Sequence, residues 1–218
     1  IHDVGGPTAN FRGPACEKQT KLGVCQDKDC LYPKVCPAIK ANHSEYLDVL
    51  EAVRNLDKVK KVFIRSGIRY DYLLADPEHN KFIEELCKHY VSGTLKVAPE
   101  HIAPGVLKCM HKSSKDVFLK FAEKYKKTNE RIGKKQYLIP YFISSHPGST
   151  MKEAVELVEA VEESGKVYAY GENYCYMPAP KEMKKLYRAG KVGEIEYAEC
   201  EYVHNCEPSW AHLTRGEP

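Results

Sequence analysis

The chain is short of several things, and each shortage removes a class of function. It has one Trp, six Phe and four Met in 218 residues, and no apolar run long enough to span a membrane. Neither sign of charge prevails: 33 Lys and Arg stand among 30 Asp and Glu, a net charge of +3. These charges form no basic block, so nothing marks a nucleic-acid footprint. No GxGxxG follows any apolar run, which argues against a dinucleotide-binding sheet. No signal peptide stands at the start, and a cytoplasmic location is expected. The chain opens on Ile1 and His2 rather than on Met.

Cysteine is not scarce. There are nine, and four fall close together at Cys16, Cys25, Cys30 and Cys36, with the spacing C-x8-C-x4-C-x5-C. An odd count in a chain of cytosolic character points to metal before disulfides. Four thiolates suit zinc or an auxiliary iron–sulfur cluster. The paired C-x2-C knuckles of a zinc ribbon are missing, so free, partly buried thiols are the alternative. Pro14, Pro33 and Pro37 stiffen the stretch, which has too few apolar residues to fold by burial alone. That favours a staple, and residues 14–37 are read as a four-cysteine insert.

Beyond the insert the pattern alternates. A helical stripe (Tyr46, Leu47, Leu50, Val53, Leu56) covers 43–56, and the β-branched run 61–68 reads as a strand. A second helix is expected from Asp76 as N-cap and Pro77 to Tyr90, then a strand at 93–100. A helix at 114–130 precedes "QYLIPYFI" (136–143), whose continuous apolar character predicts a strand buried on both faces. Thr150 and Glu153 form a capping-box start for a helix to about Ser164, with Met151, Ala154, Val155, Val158 and Val161 turned inward. A fifth strand is expected at 167–176 and a short helix at 181–189.

Five runs (1–5, 61–67, 93–99, 136–143 and 167–176) alternating with four helices imply parallel neighbours in chain order. The fold class expected is α/β, a partial (β/α) barrel spanning 1–180, with 181–218 as an unassigned tail. In such folds the reactive groups gather at the C-terminal strand ends. Those ends carry Arg69, Asp71, Glu100, His101 and His146. Turn chemistry accounts for any one of them, but five such loops on one rim argue for a ligand site. Glu100 and His101 are an acid–base pair of which only one should enter that site, because neighbours on a strand point to opposite faces. His146 is the other catalytic candidate.

"DVGGPTAN", "CLYPKVCP", "SGIRYD", "LKVAPEH" and "GKKQYLIPYFISSHPGS", in that order, resemble the YgiQ-type radical SAM proteins. The likeness runs from residue 1 to about residue 150. It implies a six-stranded partial barrel, about five strands of it present, holding a 4Fe–4S cluster and S-adenosylmethionine. Gly5 and Gly6 then correspond to the backbone turn near the cofactor's amino group, with Asn10, Ser66 and Arg69 as further cofactor-binding candidates. The Glu that many such enzymes carry after the glycines is replaced by Pro7 and Thr8. The cluster motif CxxxCxxC is absent from the nine cysteines and is expected upstream of Ile1, so the fragment by itself is expected to be inactive. The small-molecule cofactor is the expected partner, with the substrate unknown. The rival reading is a non-catalytic α/β binding module stapled by zinc at Cys16 to Cys36.

Overall fold

The computed structural model describes residues 1–6, 8–144, 146–169 and 177–195. The chain divides into two compact units, Ile1–Gly165 and Lys166–Pro218. In the second, the described residues hold one helix, α8 (Pro178–Arg188), started by Pro178 where a missing N–H costs nothing. The expected short helix therefore begins three residues earlier than the sequence suggested. The expected fifth strand lies mostly outside the described residues, and its first three residues, 167–169, are irregular.

The first unit runs α1 (Glu17–Leu22), α2 (Ser44–Arg54), α3 (Tyr70–Ala75), α4 (His79–Glu85), β1 (Thr94–Glu100), α5 (Pro104–Cys109), α6 (Lys115–Arg131), β2 (Tyr137–Phe142) and α7 (Met151–Ser164). α4 continues into a π-helical turn, Leu86–Tyr90. The fold is mixed α/β, and its sheet, among the described residues, is the parallel pair β1–β2. Thr94 to Val97 run opposite Tyr137 to Pro140 in step, and then Glu100 meets Phe142. β1 thus carries one extra residue at Ala98–Pro99, where the proline has no N–H for the ladder.

Two expected strands are extended segments without a regular ladder. Segment 1–5 lies along 61–67 in parallel sense: Ile1 N donates to Lys61 O (2.7 Å), Phe63 N to Ile1 O (3.1 Å) and Val4 N to Phe63 O (2.8 Å). The ladder stops because the Asp3 carboxylate takes the next amides, accepting from Arg65 N (2.9 Å), Ser66 N (3.1 Å) and Gly5 N (2.8 Å). Burial opposes the charge, yet these donors hold the Asp3 carboxyl down at about 2. On the other side, a Cβ on Gly67 would sit 2.6 Å from Lys96 O, so 61–67 closely approaches β1. The segments 1–5, 61–67, β1 and β2 thus follow one another in chain order.

The core forms on one side of these segments. Val62, Ile64, Leu95 and Val97 pack with Leu50 of α2, Phe82 and Ile83 of α4, Leu86, and Phe121 and Tyr125 of α6. Two expectations fail here. Residues 136–143 are not buried on both faces, since Tyr137, Ile139 and Tyr141 are exposed and the residues between them half-buried. β2 is the last strand of the described sheet, so its outer side lacks a covering layer among the described residues. For the same reason Met151, Val155 and Val158 of the stripe expected on α7 are exposed and Ala154 and Val161 only half-buried, although its capping box forms as read: Thr150 Oγ1 accepts from Lys152 N and Glu153 Oε2 from Thr150 N. The helix expected from Asp76 is also divided. Asp76 ends α3, its Oδ1 accepts from Glu78 N (2.8 Å), and α4 begins only at His79.

Candidate functional site

A cavity of about 260 Å³ opens at the carboxyl ends of 61–67, β1 and β2. Ser66, Arg69, Asp71, Lys96, Glu100 and Lys112 line it, with Thr8 and Tyr141 at its sides. Each polar group arrives for a local reason. The extra residue in β1 carries Glu100 past the regular pleat into a left-handed conformation, φ 67°. A non-glycine residue held there stores strain of about 1–3 kcal/mol, which the surrounding packing must offset. Lys112 Nζ reaches back to Glu100 Oε1 (3.5 Å) and Ala98 O (3.3 Å).

Arg69 is gripped from three sides. Its Nε donates to Asp71 Oδ1 at 3.0 Å, and its guanidinium lies over the Phe11 ring at 5.3 Å. Its backbone is clamped by Asn10, whose Oδ1 accepts from Arg69 N (2.7 Å) and whose Nδ2 donates to Arg69 O (3.0 Å). Asn10 is itself buried and bonded to His43 Nε2 (3.0 Å), while His43 Nδ1 meets Asp76 Oδ2 at 2.7 Å. Asn10 therefore lies beneath the cavity wall and spends its amide on positioning Arg69.

The sequence-derived candidates separate into groups. Ser66, Arg69 and Glu100 converge on the one cavity. Gly5 and Gly6 support it from behind: Gly6 N donates to Gly67 O (3.1 Å), and a Cβ on Gly5 would strike Ile64 at 2.7 Å. His101 faces a different cavity of about 310 Å³, with Pro104, Phe142, Lys152 and Glu153. Glu100 and His101 line different cavities; Glu100 ends β1 in the left-handed conformation and His101 lies beyond the strand, so the bulge and the chain turn, not strand alternation, separate them. The His101 ring accepts from Ala103 N (3.0 Å) and is held below the ordinary imidazole range, first by burial and also by His146, with Glu153 opposing. His146 is half-buried, and its Nδ1 donates to Pro147 O at 2.8 Å. The histidines thus share a neighbourhood with each other rather than with Glu100.

Lys96 and Lys112 line the cavity and were not read from the sequence. The signal for Lys96 was present: it is the one charged residue inside the otherwise apolar "TLKVAP". Lys112 follows a short helix, α5, that periodicity did not reveal.

The four cysteines are free and half-buried in the insert. Cys30 is raised above the ordinary thiol value, first by burial and then by the nearby Cys16, Cys36 and Cys25. Among the described residues no three of His, Cys, Asp or Glu are set to hold a metal ion as the loop stands.

Comparison with known proteins supplies a relationship. Over 165 residues, 76% of the chain, it is 52% identical to a UPF0313 protein of Clostridium botulinum (strain Okra / Type B1). Over 159 residues, 73% of the chain, it is 54% identical to a UPF0313 protein of Clostridium perfringens (strain SM101 / Type A). The chain spans only about a quarter of the length of these curated relatives, 26% and 24% respectively. No family model and no solved structure matches it. No helix of the described residues is long and apolar enough to cross a membrane.

Proposed function

We propose, from its 52% identity over three quarters of its length to a UPF0313 protein of which it spans about a quarter, that the chain is the cofactor-binding part of a radical SAM enzyme of the YgiQ type. The observation that carries the reading is the convergence of Ser66, Arg69 and Glu100 in one cavity at the strand ends. That is where parallel α/β folds bind ligands, and the group chemistry suits S-adenosylmethionine. A carboxylate and a hydroxyl at Glu100 and Ser66 match the hydroxyls of a nucleoside. Arg69 and Lys96 offer cations to a carboxylate, and Lys96 faces the Tyr141 ring at 5.8 Å.

The iron–sulfur cluster does not fit the residues of this chain. No three of its nine cysteines have the CxxxCxxC spacing. What the chain's own groups do is bind and orient. Glu100 is held by Lys112, Arg69 by Asp71 and Asn10, and both are thus preorganised before any ligand arrives.

The test uses the full-length protein, reconstituted anaerobically with iron and sulfide and given dithionite and S-adenosylmethionine. Formation of 5′-deoxyadenosine is expected. Glu100→Gln in the same protein should raise the Kd for S-adenosylmethionine about tenfold or more, the loss of one hydrogen bond to a charged group. A full-length protein that binds zinc but no iron or sulfide, and yields no 5′-deoxyadenosine, would instead establish the zinc-stapled module.

A further inference from the structure

Behind the cavity wall runs a chain of hydrogen bonds that ligand binding itself does not use. It passes from Arg69 through Asn10 and His43 to Asp76. Asn10 Oδ1 accepts from Arg69 N (2.7 Å), and Asn10 Nδ2 donates to Arg69 O (3.0 Å) and to His43 Nε2 (3.0 Å). His43 Nδ1 then donates to Asp76 Oδ2 (2.7 Å). Asn10, His43 and Asp76 are each 4% exposed or less. Solvent therefore offers no substitute partner, and a proton added to one group must be accommodated by its neighbour.

The imidazole has no room to turn away. His43 N donates to the same Asp76 oxygen as the ring does (2.8 Å), and the Tyr72 and Phe82 rings lie 5.2 and 4.8 Å from it. Asp76 Oδ1 is taken by Glu78 N (2.8 Å). Three further titratable groups surround the ring besides Tyr72 and Asp76. Glu78 and Lys81 line a cavity of about 280 Å³ together with His43, and His79 Nδ1 donates to Asp76 O (2.6 Å). The group left to respond to a proton on Nε2 is the Asn10 amide.

That amide has two orientations of opposite consequence. With Nε2 bare, it gives its nitrogen to His43 and clamps both main-chain groups of Arg69. A proton on Nε2 would face the amide N–H, two donors with no acceptor between them. Turning the amide over relieves that contact, but it sets nitrogen against Arg69 N and oxygen against Arg69 O, so both clamp bonds are lost. We propose that His43 is a positioning residue for Arg69: protonation at Nε2 turns the Asn10 amide, frees the Arg69 backbone and weakens the hold of the strand-end cavity on an anionic ligand group. The identity of that ligand rests on the cofactor reading; the coupling of His43 to Arg69 does not. Burial keeps the imidazole below its ordinary 6.5 despite the pull of Asp76, so the clamped form prevails at neutral pH and is lost as pH falls. By linkage, a ligand that needs the clamp must lower the His43 value further.

Nuclear magnetic resonance of the 218-residue chain, following His43 and Arg69 between pH 5 and 7.5, tests the coupling directly. The Arg69 amide signal should move with the midpoint of the His43 ring. His43→Gln keeps an acceptor for Asn10 but cannot gain a proton, and should remove that movement. Asn10→Asp offers oxygen on both sides, to Arg69 N and to a protonated Nε2, so protonation no longer costs the clamp. In that variant the ring midpoint should rise while the Arg69 signal stops following it, which a merely structural bond would not produce. In the full-length protein, the Kd for S-adenosylmethionine should rise about fivefold or more between pH 7.5 and 5.5, and by clearly less in His43→Gln. Coupling of Arg69 to His43 without any binding of S-adenosylmethionine would count against the cofactor reading alone and support the positioning role. The proposal is overturned if the His43 ring does not titrate in this range, or if the parent Arg69 signal ignores it. It is equally overturned if Arg69 still follows His43 in Asn10→Asp, or if the parent and His43→Gln lose affinity alike.

Discussion

His43 shows how a residue far from the cavity can determine its wall. Because Asn10 Oδ1 accepts from Arg69 N, its amide nitrogen must be the group facing His43 Nε2. Nε2 is then an acceptor, and the ring's proton is on Nδ1, shared with Asp76 Oδ2. A second proton on Nε2 would face the Asn10 amide donor with nothing to accept it. Burial holds the His43 pKa below its ordinary 6.5, more strongly than Asp76 pulls it up. The folded state therefore binds this proton less readily than the unfolded chain. Stability from His43 is fully present above about pH 6.5 and is lost as pH falls through the depressed folded value. Urea unfolding at pH 7.5 and 5.0 should show a drop in stability that is smaller in His43→Gln. His89 and His101, also held low, add slope of the same sign, so the variant reduces the drop without abolishing it. An unchanged drop would show that the His43 network does not titrate.

At the scale of elements, the sequence revealed periodic helices and missed those built from turns. α2, α6 and α7 carry stripes over three or more turns and lie where the pattern puts them. α1, α3 and α5 are each six residues long, too short for periodicity to show. The strand-like runs were legible as extended chain but not as ladders, because a single side chain, Asp3, intercepts amides that a β pattern assumes are paired. The rim was half legible: Ser66, Arg69 and Glu100 were readable as strand ends, whereas burial of Asn10 follows from a contact 59 residues away. Gly67 is the point where these elements depend on one another. Its φ of 103° and the 2.6 Å approach to the Lys96 carbonyl leave no room for a Cβ against rigid backbone. Gly67→Ala should cost about 2 kcal/mol or more and weaken ligand binding in the cavity that Gly67 lines. Denaturant unfolding checks the first effect and calorimetry the second. A variant as stable as the parent would mean that β1 can shift away from 61–67 at little cost.

For the whole molecule, the division after Gly165 separates everything the proposed function uses from the rest. Ser66, Arg69, Lys96 and Glu100, the Asn10–His43–Asp76 network, the core around Leu50, Phe82 and Phe121, and all four insert cysteines lie before it. α7 ends there in a helix stop, Gly165 in the left-handed conformation with its N–H on Glu162 O. The chain ending at Gly165 keeps the whole first unit and should fold alone. Its thermal unfolding should remain a single cooperative transition, with a midpoint within a few degrees of the 218-residue chain. The shortened chain keeps the exposed Met151, Val155 and Val158 of α7 and Tyr137, Ile139 and Tyr141 of β2, as the 218-residue chain does. Apolar surface of this extent favours association. Sedimentation over a concentration series should therefore show self-association growing with concentration while the transition stays cooperative. A truncated chain with no cooperative transition would show that residues beyond 165 complete the core of the first unit, and that the two units fold as one.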